Sequence, residues 1–109
     1  MGARAVLLKG GHLPGEDLVD VLAQAGTAPS FEHLRGKRIA SENTHGTGCT
    51  LSSAIACGLA LGLDLRAAVV QAREYVRGAM AAGARVRTGA GHGPLNHGYA
   101  PVAMRLLPP

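Results

Sequence analysis

The sequence predicts an α/β or α+β fold, and two observations carry that prediction. Short apolar runs bounded by glycine and proline fill its first part, as strands do. Two longer stretches with helical character follow them. The order is strand, hairpin, helix, helix. It looks more like the C-terminal half of a layered α/β protein than a finished one.

The first strand is the run Ala5-Val6-Leu7-Leu8, within Arg4 to Leu8, which stops at Gly10-Gly11. A continuous apolar run of this kind is a buried strand, and a buried strand needs neighbours. Glu16 to Ala23 alternates Val19, Val21 and Ala23 with Asp20, Leu22 and Gln24, which favours a strand over a short helix. Gly26 to Pro29 is turn material, and Ser30 to Leu34 reads as the returning strand of a hairpin. Gly36-Lys37-Arg38-Ile39 reads as another turn followed by a short extended piece.

The first helix is expected from near Gly48 to about Leu61. It is rich in small residues (Ser52, Ser53, Ala54, Ala56, Gly58, Ala60), so it can pack very close to a neighbour. Gly62 stops it, and Asp64 is placed to cap the next helix. That second helix is expected over roughly Leu65 to Ala82. Leu65, Ala68, Val69, Ala72, Val76, Ala79 and Met80 recur at three- and four-residue spacing and define one apolar face. Gly83 to Pro109 is rich in glycine and proline, with a short apolar run from Val102 to Leu107.

A chain of 109 residues suits a single small domain, 1–109, and no more. Apolar residues make up 47%, but much of this is alanine and only 3% is aromatic, so the core is expected to be thin. The net charge of +4 comes mostly from arginines spread along the chain. Without a basic cluster or interleaved aromatics, this argues against dedicated nucleic-acid binding and remains compatible with anionic small molecules. Cys49 and Cys57 form no C-x-x-C motif, so neither a disulfide scaffold nor a zinc knuckle is indicated, and a reduced, cytoplasmic setting is the default. No run of about 18 apolar residues points to a membrane.

The segment His45-Gly46-Thr47-Gly48-Cys49-Thr50 runs directly into the small-residue helix. A helix start leaves its first N–H groups unpaired, and these together with the helix dipole attract anions. Gly46 and Gly48 let the backbone turn sharply and approach a bound group, while Thr47 and Thr50 add hydroxyls. A transferring phosphoryl group could sit here. The segment is not a Walker A loop, since no lysine follows Gly48, and it is not a dinucleotide fingerprint. A glycine-rich helix start with no ligand is the bland alternative.

Cys49 stands at that helix start, where a thiol gains thiolate character. It could accept a proton from a substrate hydroxyl or orient it, or it could be a buried structural cysteine. Cys57, two turns on, reads as structural. Lys9 closes the first strand, where ligands gather in α/β sheets; it either offsets phosphate charge or is simply solvated. His12, His45, His92 and His97 match no zinc signature and fit solvated, loop-orienting or substrate-contacting roles. The second glycine-rich loop, Gly89 to His97, could close over a nucleotide base or only turn the chain.

These residues resemble a known family. Asn43-Thr44-His45-Gly46-Thr47-Gly48-Cys49-Thr50-Leu51-Ser52-Ser53-Ala54-Ile55-Ala56 resembles the signature of hydroxymethylpyrimidine/phosphomethylpyrimidine kinases, enzymes of thiamine biosynthesis. Val6 to Leu13 resembles that family's upstream strand and loop, Val19-Asp20-Val21-Leu22 its following strand, and Gly91 to His97 its C-terminal loop. The resemblance covers nearly the whole chain.

It implies the C-terminal part of a ribokinase-like three-layer α/β/α fold. It also implies transfer of the γ-phosphate of ATP, with Mg²⁺, to hydroxymethylpyrimidine and then to its monophosphate. Gly46, Thr47 and Gly48 match the family's anion hole, and Cys49 matches the position where sugar-kinase relatives use an aspartate as base. Lys9, Gly10, Gly11 and Thr44 match positions near the nucleotide phosphates, and no residue matches a metal ligand. The family's N-terminal half has no counterpart here, so a complementing N-terminal fragment or a self-dimer is an expected partner. Rival readings are a pyridoxal or pyridoxamine kinase of the same fold, a non-catalytic fragment, and a thiol enzyme using Cys49 as nucleophile.

Overall fold

The computed structural model describes residues 3–10, 17–26, 28–39, 46–87, 89, 90, 93–103, 106 and 108. The chain divides into two compact units, Met1–Arg38 and Ile39–Pro109.

The first unit is a three-stranded antiparallel sheet in the order β1-β2-β3, with β1 at Ala5–Leu8, β2 at Asp17–Gln24 and β3 at Ser30–Lys37. The alternation read between residues 16 and 23 is therefore a strand. Side chains alternate between the faces of a sheet, so register decides which residues share a face. Leu7 lies opposite Leu22, and Asp20 lies opposite Leu34, on one face. Leu22 and Leu34 are buried there. Val6, Ala23 and Phe31 share the other face with Leu8 and Val21. Val6, Leu8 and Phe31 are 52%, 67% and 72% exposed. These three apolar side chains are exposed on the same face rather than scattered over the surface.

Two sequence expectations fail in this unit. β1 is not the buried strand that its apolar run suggests: it is an edge of the described sheet, and Val6 and Leu8 are exposed. Gly36 and Lys37 are strand, not turn, because they pair with Leu18 and Asp17. A ladder bonds backbone to backbone, so a partner strand of eight residues carries glycine along with it.

The second unit begins with α1 at Thr47–Ala60 and α2 at Leu65–Gly83. Both lie within a residue of the bounds expected from sequence. α1 ends where Gly62 takes a positive φ of 93° and Leu63 N–H reaches back to the Gly58 carbonyl, 3.1 Å away. Asp64 caps α2 by accepting a 2.8 Å bond from Ala67 N–H, which contributes about 1 kcal/mol.

The two helices pack through small residues, as the α1 composition predicts. A Cβ added at Gly58 would come 3.0 Å from the Ala68 Cβ. Ala68, Val69, Ala72, Val76 and Ala79 of the predicted stripe are buried. At 1% exposure, Val69 is the largest fully buried side chain among the described residues, which is the thin core that an alanine-rich chain makes. Beyond α2 the chain folds back. Leu95 is buried, and Asn96 N–H bonds the Ala79 carbonyl at 3.0 Å. Val102 and Leu106, of the apolar run near the C-terminus, are exposed and belong to no element.

Candidate functional site

Gly46 immediately precedes α1 with φ 83° and ψ 10°, the left-handed conformation. A Cβ there would meet nothing within 4 Å, so it is the backbone conformation, not crowding, that calls for glycine. Thr47, Gly48 and Cys49 are the first three helical residues. Their N–H groups have no acceptor within the helix. The first backbone bond of α1 is Thr50 N–H to the Gly46 carbonyl, 2.8 Å. Among the described residues no side chain caps this end, and no acidic residue lies in its first turn. The donors and the positive end of the helix dipole are thus left available to an anion.

This helix start opens on a groove of about 550 Å³ between α1 and α2. Cys49, Thr50 and Cys57 line it from α1, Gln71 and Tyr75 from α2, and His97 from the returning chain. Both cysteines are free and exposed. Cys57 is therefore not the structural cysteine that its place in a small-residue helix suggests. α1 is apolar around most of its circumference, so its sequence pattern does not say which face is turned inward.

Two residues of the groove are joined across a long stretch of chain. Thr50 Oγ1 and His97 Nε2 are 2.9 Å apart. The Tyr75 hydroxyl donates to the His97 carbonyl at 2.7 Å. The rings of Tyr75 and Tyr99 lie 5.9 Å apart with an interplanar angle of 36°. Sequence reading left His97 among several possible roles and gave Tyr75 none. The only local signal for the pair is the place of His97 at the end of the second glycine-rich loop.

The remaining expected residues fall elsewhere. Lys9 and Gly10 follow β1 in the first unit; Lys9 is exposed and Gly10 is buried. Gly10 N–H bonds Asp20 Oδ1 at 3.0 Å, a charge-assisted bond that fixes the backbone just after Lys9. Gly46, Thr47, Gly48 and Cys49 come together at one helix start in the second unit. Gly11 and Thr44 lie outside the described residues, as do His12, His45 and His92. Among the described residues, no three His, Cys, Asp or Glu side chains gather so as to hold a metal ion. No helix among them is long and apolar enough to cross a membrane.

A family model described as phosphomethylpyrimidine kinase matches residues 1–96. A hydroxymethylpyrimidine/phosphomethylpyrimidine kinase of Streptomyces coelicolor is 53% identical over 100 residues, covering 91% of this chain and 35% of its own length. A protein of the same name from Rhizobium meliloti is 47% identical over 96 residues, covering 88% of this chain and 35% of its own. The chain thus spans about a third of the length of these curated relatives. Among solved structures, the pyridoxal kinase of Staphylococcus aureus in complex with AMP-PCP and pyridoxal superimposes with a TM-score of 0.80 at 28% identity, covering 90% of this chain and 35% of that one. The shared fold is the ribokinase-like α/β fold.

Proposed function

Because the chain belongs to the phosphomethylpyrimidine kinase family, we propose that it carries the phosphate-handling part of an ATP-dependent kinase. The substrates are hydroxymethylpyrimidine and its monophosphate, on the route to thiamine. The observation that carries this reading is the uncapped start of α1, with left-handed Gly46 before it and a groove beginning at Cys49 and Thr50.

The N–H groups of Thr47, Gly48 and Cys49 stabilise charge on the transferring phosphoryl group, with Gly46 setting their direction. The groove between α1 and α2 takes the nucleoside end of ATP. The substrate hydroxyl oxygen forms a bond to the γ-phosphorus as the bond from that phosphorus to the bridging oxygen breaks. Cys49, acting as the base, takes the hydroxyl proton, and ADP leaves. By the family resemblance alone, Lys9, Gly10, Gly11 and Thr44 are the further candidates for contact with the nucleotide phosphates. Magnesium, when bound, would be held by the nucleotide phosphates and would offset their charge. The described residues offer it no cluster of ligands, and no step here depends on one. Two exposed free thiols suit a reducing, cytoplasmic setting.

The rival substrate is pyridoxal, which the Staphylococcus aureus enzyme holds in its complex. The higher identity to the pyrimidine kinases favours hydroxymethylpyrimidine. The proposed partner is the part of the kinase that the relatives carry and this chain does not match, whether on the same polypeptide or on another. The exposed apolar face of Val6, Leu8 and Phe31 is its contact surface. Light scattering on the purified chain, alone and with that part added, separates a complementing pair from a self-dimer.

Titrating the ¹⁵N-labelled chain with AMP-PCP tests the anion site. Shifts concentrated at Gly46 to Thr50 are expected. Shifts spread over the surface, or none at all, would remove the assignment.

A further inference from the structure

We propose that His97 is a positioning residue for the phosphate loop, holding the first turn of α1 in place through Thr50. The function of that turn rests on the kinase reading above; the contact itself does not.

A helix start that binds an anion faces a conflict. Its free N–H groups must stay unpaired for the ligand, so it cannot use an N-cap side chain to hold its first turn. Among the described residues α1 has no such cap, and it has no acidic residue in that turn. By contrast, α2 is capped by Asp64. The first turn of α1 needs support that leaves its N–H groups free, and Thr50 supplies the attachment point. Its N–H closes the first backbone bond, to Gly46, while its side chain reaches His97 Nε2 at 2.9 Å. A hydroxyl both donates and accepts, so this bond forms with either neutral tautomer of the imidazole and with the imidazolium.

A strut supports a load only if its other end is fixed. The backbone around His97 is tied to α2 at several points. The Tyr75 hydroxyl bonds the His97 carbonyl, Asn96 N–H bonds the Ala79 carbonyl, and Leu95 is 5% exposed. Tyr99 lies so close over Gly78 that a Cβ there would collide with its ring. His97 therefore carries the rigidity of α2 across to the turn whose amides face the ligand.

Amide hydrogen exchange on the ¹⁵N-labelled chain tests the contact without any ligand. His97→Ala is expected to speed exchange at the Thr50 amide about fivefold, the worth of one hydrogen bond. Asn96 should keep its protection. His97→Gln, whose amide can reach Thr50, should restore slow exchange. Thr50→Val should match His97→Ala, and the double variant should be no worse than either single one. An unchanged Thr50 amide, an equal loss at Asn96, or no rescue by glutamine would overturn the proposal. AMP-PCP affinity, measured in parallel, should fall several-fold in His97→Ala and recover in His97→Gln. If the unaltered chain binds no AMP-PCP, the kinase reading fails while the exchange result still decides the role of His97.

Discussion

The side chains of Thr50 and His97 meet at 2.9 Å although 47 positions separate them in the chain. The contact joins the first turn of α1 to the segment that returns after α2. It places an imidazole in the lining of the groove, beside the first turn of the helix. The stability of that returning segment and the order of the helix start are thus linked.

Gly78→Ala is expected to displace the Tyr99 ring, because a Cβ at this position has no room beside it. Overpacking of this kind costs about 1–3 kcal/mol. A thermal melt should show the loss. The double variant Gly78→Ala/Tyr99→Ala should lose less than the two single changes added together. Strict additivity would mean that the ring does not hold the segment.

Gly46→Ala must force an L-residue to a φ of 83°. That costs about 1–2 kcal/mol, and Gly46→Asn costs less because asparagine tolerates the left-handed region better. The stability loss should rank alanine above asparagine, and AMP-PCP affinity should fall in the same order. Equal melts for the two variants would show that the conformation is not what glycine provides.

Cys49→Ala, made in an active preparation that includes the complementing portion, should lower turnover about a hundredfold or more while leaving the Michaelis constant for ATP little changed. Cys57→Ala is the control: it lines the same groove but stands two turns from the helix start. Comparable losses in the two variants would remove the special role of Cys49. Steady-state assays with hydroxymethylpyrimidine and with pyridoxal as acceptor would also rank the two substrates.

Asp64→Ala should destabilise the helical unit by about 1 kcal/mol through loss of the bond to Ala67 N–H. Asp64→Ser should recover most of it, as read by circular dichroism melts. A serine variant no better than alanine would show that the cap bond contributes little.

Asp20→Ala removes the carboxylate that holds Gly10 N–H. Faster exchange at the Gly10 amide is expected, with β2–β3 amides such as Leu22 unchanged. If Lys9 acts on the nucleotide, the same change should weaken AMP-PCP binding several-fold, whereas Asp20→Asn should have a smaller effect.

The sequence by itself determined the elements and the likeness to a kinase family. α2 was legible because its apolar stripe repeats at helical spacing and Asp64 stands before it, and both are local signals. The helix start at Gly46 to Cys49 was legible because its signal, glycines directly ahead of a run of small helical residues, lies in consecutive residues. The tertiary structure decided the rest. It ran β3 through Gly36 and Lys37, since strand length depends on the partner. It turned Cys57 toward the groove, since a helix of small apolar residues does not encode its inward face. It also brought Tyr75, His97 and Thr50 together, since contacts between distant residues depend on how α1, α2 and the returning chain pack. No pattern along the chain records that packing.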